Sequence, residues 1–471
     1  MIAPLFSQHP FAKSLRMEPV PPRAARPPSR CSHGDIMTSD DVTRDGAERI
    51  VTDVVCAFCG LGCDDLEVAV RGRSIRPVKA CAEAGRLLAR TDAAPPAPRI
   101  QGREASLAEA AEAAAQLLKA SQATAITGLG TDLDGLRGLF DLAVTAGASF
   151  DHAASEGLFA NLERLSRRGW ISSTLAEVRN HCDLMVVFGA DPDLSYHRFF
   201  DRAAPAGGEA GAAPLFVEGA RRVAIVGDIL SDATRRTLAR HEVTEVVVPP
   251  AEVALAARGL AALVAGRDVA GIPALEGAVG EGLKALAEAL KAARYSVFVW
   301  NAATLSPRDT ASVAESAAAM VDALSVTTRS VVFPLGGRDN ITGAHQMALW
   351  RFGYPLRTVV GGGVSRHVPE LYSTAAALED ADLVLHASSF RPDAPPEFGR
   401  GPVIALAHPD TVFAREPDVF IPVGTPGVDH GGQVFRMDSV VCLPLEALRA
   451  AELPSLADAA SAILESLRRA A

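Results

Sequence analysis

Three cysteines within eight residues, Cys56-Ala-Phe-Cys59-Gly-Leu-Gly-Cys63, with a fourth at Cys81, constrain this chain more than any other stretch. Four thiols so close together are hard to explain as core packing. Thiolate is a soft ligand, and four of them suit an iron–sulfur cluster or a structural zinc. Gly60 and Gly62 free the backbone to wrap between ligands. The spacing, two residues and then three, is not that of a two-knuckle zinc ribbon. Four unliganded cysteines are the plain alternative. A disulfide framework is not expected in a chain of 471 residues without a secretory leader.

Around the thiols the pattern is β. Asp65 to Val70 alternates at period two, and Arg71-Gly72-Arg73 turns it into Ser74–Val78. A short helix is predicted from Ala84 to Asp92, then a proline-rich linker, Ala94-Pro95-Pro96-Ala97-Pro98. Residues 47–93 thus read as a small β-rich four-cysteine lobe. Ahead of it, residues 1–46 are rich in Pro and Arg and poor in apolar residues. They read as a disordered leader, with Met37 as an alternative start.

From Ser106 the pattern becomes alternating helix and strand. Ser106 can cap a helix to about Lys119, and Ser306 another, with Pro307 at its first position. Continuous apolar runs such as Leu184-Met-Val-Val-Phe-Gly189 and Tyr295-Ser-Val-Phe-Val-Trp300 read as strands buried on both faces. The fold class predicted is α/β with parallel sheets, in two regions, 100–290 and 291–471. The formal net charge of −10 argues against binding to nucleic acid or an anionic membrane surface. No apolar run reaches the roughly 18 residues of a membrane span. Seven cysteines, with Cys182 and Cys442 isolated, suit a reducing cytoplasm.

Three further motifs bear on chemistry. Gly128-x-Gly130 lacks the third glycine of a dinucleotide fingerprint, and Asp132 and Asp134 would repel a phosphate, so a plain turn is expected. Gly189, Asp191 and Pro192 close a buried strand, where ligands of open α/β sheets bind. They are the candidate cofactor-binding residues, with a plain strand-end turn as the equal alternative. In Asp429–Asp438 one His and two Asp suggest a metal loop, but a turn with an Arg436–Asp438 salt bridge is the better reading.

Six ordered segments, from about Val54 to Leu443, together resemble the B subunit of formylmethanofuran dehydrogenase, in the molybdopterin oxidoreductase superfamily. They are Cys56–Asp65, Ser173–Asn180, Val187–Pro192, Asp339–Gln346, Trp350–Pro355 and Gly427–Asp438. The resemblance implies a multi-subdomain molybdopterin-oxidoreductase-like fold. It also implies a [4Fe–4S] cluster on Cys56, Cys59, Cys63 and Cys81. In the family a cysteine thiolate and a neighbouring histidine serve a tungsten or molybdenum pterin. Here Gly157 takes the cysteine position and Leu158 the histidine position.

That departure decides the expectation. A tungsten or molybdenum pterin is not expected, there is no catalytic residue to assign, and redox activity of the chain's own is expected to be lost. The chain is most similar to the B subunit of the bacterial formyltransferase/hydrolase complex. There, relatives of the A, B, C and D subunits carry a formyl group from tetrahydromethanopterin to a methanofuran-type carrier and release formate. The expectation is a cytoplasmic scaffold subunit, with relatives of the dehydrogenase A and C subunits and a formyltransferase D subunit as partners. The competing readings are an active tungsten- or molybdenum-dependent dehydrogenase subunit and an iron–sulfur electron-transfer module.

Overall fold

The computed structural model describes residues 48–205, 214–217 and 219–469. The leader at 1–46, with Met37, lies outside them. The four-cysteine lobe is a three-stranded antiparallel sheet, Arg49–Val54, Leu66–Arg71 and Ser74–Lys79. The helix Ala82–Leu88 follows, and Cys81 caps it: its Sγ accepts from the Ala84 N–H at 3.4 Å.

The rest of the chain builds two large sheets. The first has five parallel strands in the order Glu242–Val247, Arg222–Gly227, Leu184–Gly189, Tyr295–Asn301, Arg329–Leu335. Its central strands are buried on both faces, as their unbroken apolar runs require. The period of two assigns each side chain to a core. Leu184, Val186 and Phe188 face the helices Val253–Val264, Gly277–Ala292 and Pro307–Leu324. Met185 and Val187 face the opposite way, into a core shared with Phe58, Leu61, Phe199 and Phe200. The cysteine lobe is therefore seated on one face of this sheet. Burial of Phe58 and Leu61 at 2% and 1% exposure stabilises that seat by about 2 kcal/mol per side chain.

The second sheet has nine strands. Its parallel centre is Ser149–Phe150, Thr124–Gly130, Leu383–Ser388, Val403–Ala407 and Val419–Pro422, with antiparallel strands at both edges. The helices Leu107–Ala120, Leu133–Ala146 and Leu456–Arg469 cover it. Ser106 and Glu109 form a reciprocal capping box, and Ser306 caps its helix with Pro307 following. The α/β class with parallel sheets agrees with the sequence. The division at residue 290 does not follow the sheets, since each draws strands from both sides of it. Parallel neighbours need a crossover, so adjacency in a sheet is not adjacency in the chain. Among the described residues no helix is long and apolar enough to cross a membrane.

Candidate functional site

A cleft of about 380 Å³ opens at the carboxyl ends of Tyr295–Asn301 and Arg329–Leu335, one strand beyond the switch in strand order. One wall is the helix Ser155–Arg168, which presents Gly157, Leu158, Asn161 and Leu165. The floor is Gly336–Gly337 together with Cys59. His345 and Gln346 line the far side, with Ser173 and Asp438 nearby.

The helix is held in three places. Ser155 Oγ donates to Asp151 Oδ2 at 2.7 Å, and Arg357 reaches both Ser155 and Glu156. The fully buried Trp300 donates from Nε1 to Asn161 Oδ1 at 3.0 Å. Arg164 pairs with Glu315 and donates to the Gly169 carbonyl. Between these anchors Gly157 rests directly on the turn Ala302–Thr304. A Cβ at 157 would lie 2.9 Å from Ala302 Cβ and 3.2 Å from its carbonyl carbon. The position expected to carry a metal-binding thiolate is thus crowded by the Ala302 methyl and main chain. Leu158 packs, half-buried, against the core of the nine-stranded sheet. With no thiolate at 157 and Ala302 crowding any Cβ there, the residues here do not fit a metal pterin held by a protein ligand.

The four cysteines lie in one lobe, near enough for Cys56 to feel the other three. The loop closes through the Cys56 N–H on the Cys63 carbonyl at 2.7 Å, and Gly60 and Gly62 adopt φ of 86° and 59°. Burial raises Cys56 well above the usual thiol value, and Cys59, Cys63 and Cys81 raise it further. Burial pushes Cys59 up to about 12. Burial also raises Cys63, against the pull of Arg198 and Arg202. Without a cation these three thiols are protonated; a soft cation would displace their protons. The donor set and loop conformation fit a soft metal. Among the described residues, however, no three His, Cys, Asp or Glu side chains are drawn together as a metal site.

Other candidates fall elsewhere. Gly189, Asp191 and Pro192 do not line the cleft. Asp191 is 2% exposed, and its carboxylate accepts from the Asp193 and Ser231 N–H groups and from Thr234 Oγ1. Gly189 passes so close to Gly227 that a Cβ at 227 would collide with its carbonyl. The Asp429–Asp438 stretch forms the expected ion pair, Arg436 Nη2 to Asp438 Oδ2 at 2.7 Å, and Asp438 also accepts from the Leu175 N–H.

No local pattern marks His345 or Trp170 as cleft residues. The signal that sequence does carry is convergence. Cys59, Ser173, His345 and Asp438 come from four of the six segments that carry the family resemblance, and all four line this cleft.

Behind the floor lies His152. The Ala154 N–H donates to its Nδ1, so Nε2 carries the proton and donates to the Asp339 carbonyl at 3.1 Å. Burial lowers the imidazole to about 4. The unfolded chain takes up this proton near pH 6.5. Stability from His152 is therefore complete above pH 6.5 and is lost as pH falls toward 4, at up to about 1.4 kcal/mol per pH unit. His152→Gln, which keeps a donor for Asp339, should lose less stability than the parent across that window. Denaturant unfolding at a series of pH values checks this; parallel curves would contradict it.

No family model matches the chain. The B subunit of the formyltransferase/hydrolase complex Fhc of Methylorubrum extorquens is 27% identical over 379 residues, which is 78% of this chain and 96% of that protein. The B subunit of tungsten-containing formylmethanofuran dehydrogenase 2 of Methanocaldococcus jannaschii is 25% identical over 416 residues, 83% of this chain and 92% of that one. A chain in the crystal structure of the formyltransferase/hydrolase complex FhcABCD from Methylorubrum extorquens, in complex with methylofuran, superposes with a TM-score of 0.66. Identity there is 26%, over 79% of this chain and 99% of that chain. Both kinds of B subunit match over nearly their full length, and the solved structure shares the fold. The chain is thus similar, over most of its length, to B subunits of both formylmethanofuran dehydrogenase and the formyltransferase/hydrolase complex.

Proposed function

We propose that this chain is the non-redox scaffold subunit of a cytoplasmic formyltransferase/hydrolase complex, assembled with relatives of the A, C and D subunits. That complex moves a formyl group from tetrahydromethanopterin to a methanofuran-type carrier and releases formate. The observation that carries this reading is Gly157. The helix that would present the metal ligand carries a glycine there instead, packed so closely on Ala302 that a Cβ would lie 2.9 Å from its methyl. Matches to a formyltransferase/hydrolase component in both sequence and structure support the choice of complex. The chain's role is then to position partners, and the loop of Cys56, Cys59, Cys63 and Cys81 holds a [4Fe–4S] cluster. Bound there, such a cluster ties the loop to the lobe through four bonds and can store an electron.

The test is anaerobic purification of the tagged chain from its own cells, with mass spectrometry of the copurifying proteins and elemental analysis. The A, C and D subunits should copurify in fixed ratio, with tungsten and molybdenum far below one per copy. About four irons per copy would support the cluster. Tungsten or molybdenum near one per copy, or a chain without those partners, would overturn the reading.

A further inference from the structure

The loop that carries the thiols and the floor of the cleft are joined by a continuous set of contacts. The Phe58 carbonyl accepts from the Asp339 N–H at 2.9 Å, and the Gly60 carbonyl accepts from the Met437 N–H at 2.8 Å. Gly60 and Gly337 touch main chain to main chain, since a Cβ at 60 would lie 2.7 Å from Gly337 Cα. Arg391 closes the arrangement. It is 3% exposed, donates from Nε to Asp339 Oδ1 at 2.7 Å, and reaches the Phe58 carbonyl from Nη2 at 3.4 Å. Its Nη1 donates to Glu83 Oε1 at 2.9 Å, two residues after Cys81. One guanidinium thus spans both ends of the thiol set and the floor of the cleft.

The floor also needs holding. Asp339 and Asn340 are consecutive non-glycine residues at φ 51° and 61°. Such conformations persist only where surrounding contacts over-determine them. The contacts are Arg391 on the Asp339 carboxylate and His152 on its carbonyl. Asn340 is held by the Thr131 carbonyl and the Phe435 N–H. Release of the thiol loop takes away the Phe58 carbonyl that receives the Asp339 N–H and the main-chain contact of Gly60 on Gly337. The helix Ile341–Phe352, with His345, begins directly after this turn.

We propose that the four-cysteine loop and the segment 336–346 form one cooperative unit clasped by Arg391, so that a metal on the thiols orders the cleft and the clasp in turn sets metal affinity. The proposal rests on the reading that the thiols hold a metal. Coupling between two sites is reciprocal, so it can be read from either end.

The test uses the full chain stripped of metal and titrated with Co²⁺ alone, whose thiolate charge-transfer absorption reports binding. Hydrogen exchange reports segments 56–63 and 336–346. Cobalt should slow exchange in both segments while leaving Leu184–Gly189 unchanged. Arg391→Met should speed exchange in both and weaken cobalt binding about tenfold or more. Arg391→Lys, which keeps the buried charge but not the fork of donors, should fall between, and it serves if the Met variant does not fold. Absence of cobalt binding would overturn the metal reading and the coupling with it. Binding that leaves 336–346 unchanged, or a clasp variant with parental cobalt affinity, would overturn the coupling alone.

Discussion

Gly157→Cys should destabilise the chain by about 1–3 kcal/mol, the usual cost of adding atoms to a filled site. It should not confer a metal pterin. The new Cβ would sit 2.9 Å from Ala302 Cβ and 3.2 Å from Ala302 main chain, and main chain cannot rotate away. The helix cannot simply lift, because Asn161 is tied to the buried Trp300 and Ser155 to the buried Asp151. Better helix propensity than glycine returns a few tenths of a kcal/mol, too little to offset the clash. The measurement is the denaturant midpoint at constant slope. Ala302→Gly in the Gly157→Cys background should recover part of the loss, because it removes the nearest colliding atom. A Gly157→Cys chain as stable as the parent, or one that acquires tungsten or molybdenum, would sink the view that this wall has closed.

How much of the fold and the cleft is legible in the sequence depends on the range of the interaction. Caps are local, and Ser106, and Ser306 with Pro307, stand where the pattern places them. So does the Arg436–Asp438 pair, whose partners are two residues apart. The Gly362-Gly363 turn, with φ of 57° and 78°, is a local signature of the same kind for the hairpin Thr358–Gly361 to Val364–His367. The wall helix Ser155–Arg168 is hidden for a different reason. Leu162 and Leu165 face a cleft rather than a core, Leu158 is shared between the cleft and the core of the nine-stranded sheet, and past its first turn only Ala160, Asn161 and Arg164 are buried. Its amphipathic stripe therefore marks a cavity. The interleaving of the two sheets is non-local, set by crossovers that no window of sequence contains. The rule that ligands gather at strand ends points to the right sheet. It does not say which strand, and the cleft lies at Asn301 and Leu335 rather than at Gly189.

Asp191→Ala separates a structural carboxylate from a binding one. Its two oxygens take three donors, at 3.0 Å from the Asp193 and Ser231 N–H groups and at 2.7 Å from Thr234 Oγ1. Together these tie the end of Leu184–Gly189 to the start of the helix Asp232–Thr237. Alanine leaves buried donors without an acceptor, at a cost of about 3 kcal/mol. The loss should be local: hydrogen exchange in 231–237 should rise, while Cys59 and segment 336–346 keep their parental protection. Asp191→Asn should cost less, since one oxygen still accepts while the amide faces donors it cannot satisfy. If Asp191 instead served a ligand, alanine would leave stability nearly unchanged, because a carboxylate poised for a ligand is not already committed to three protein donors. Equal unfolding midpoints for Asp191→Ala and the parent would make this residue a binding candidate again.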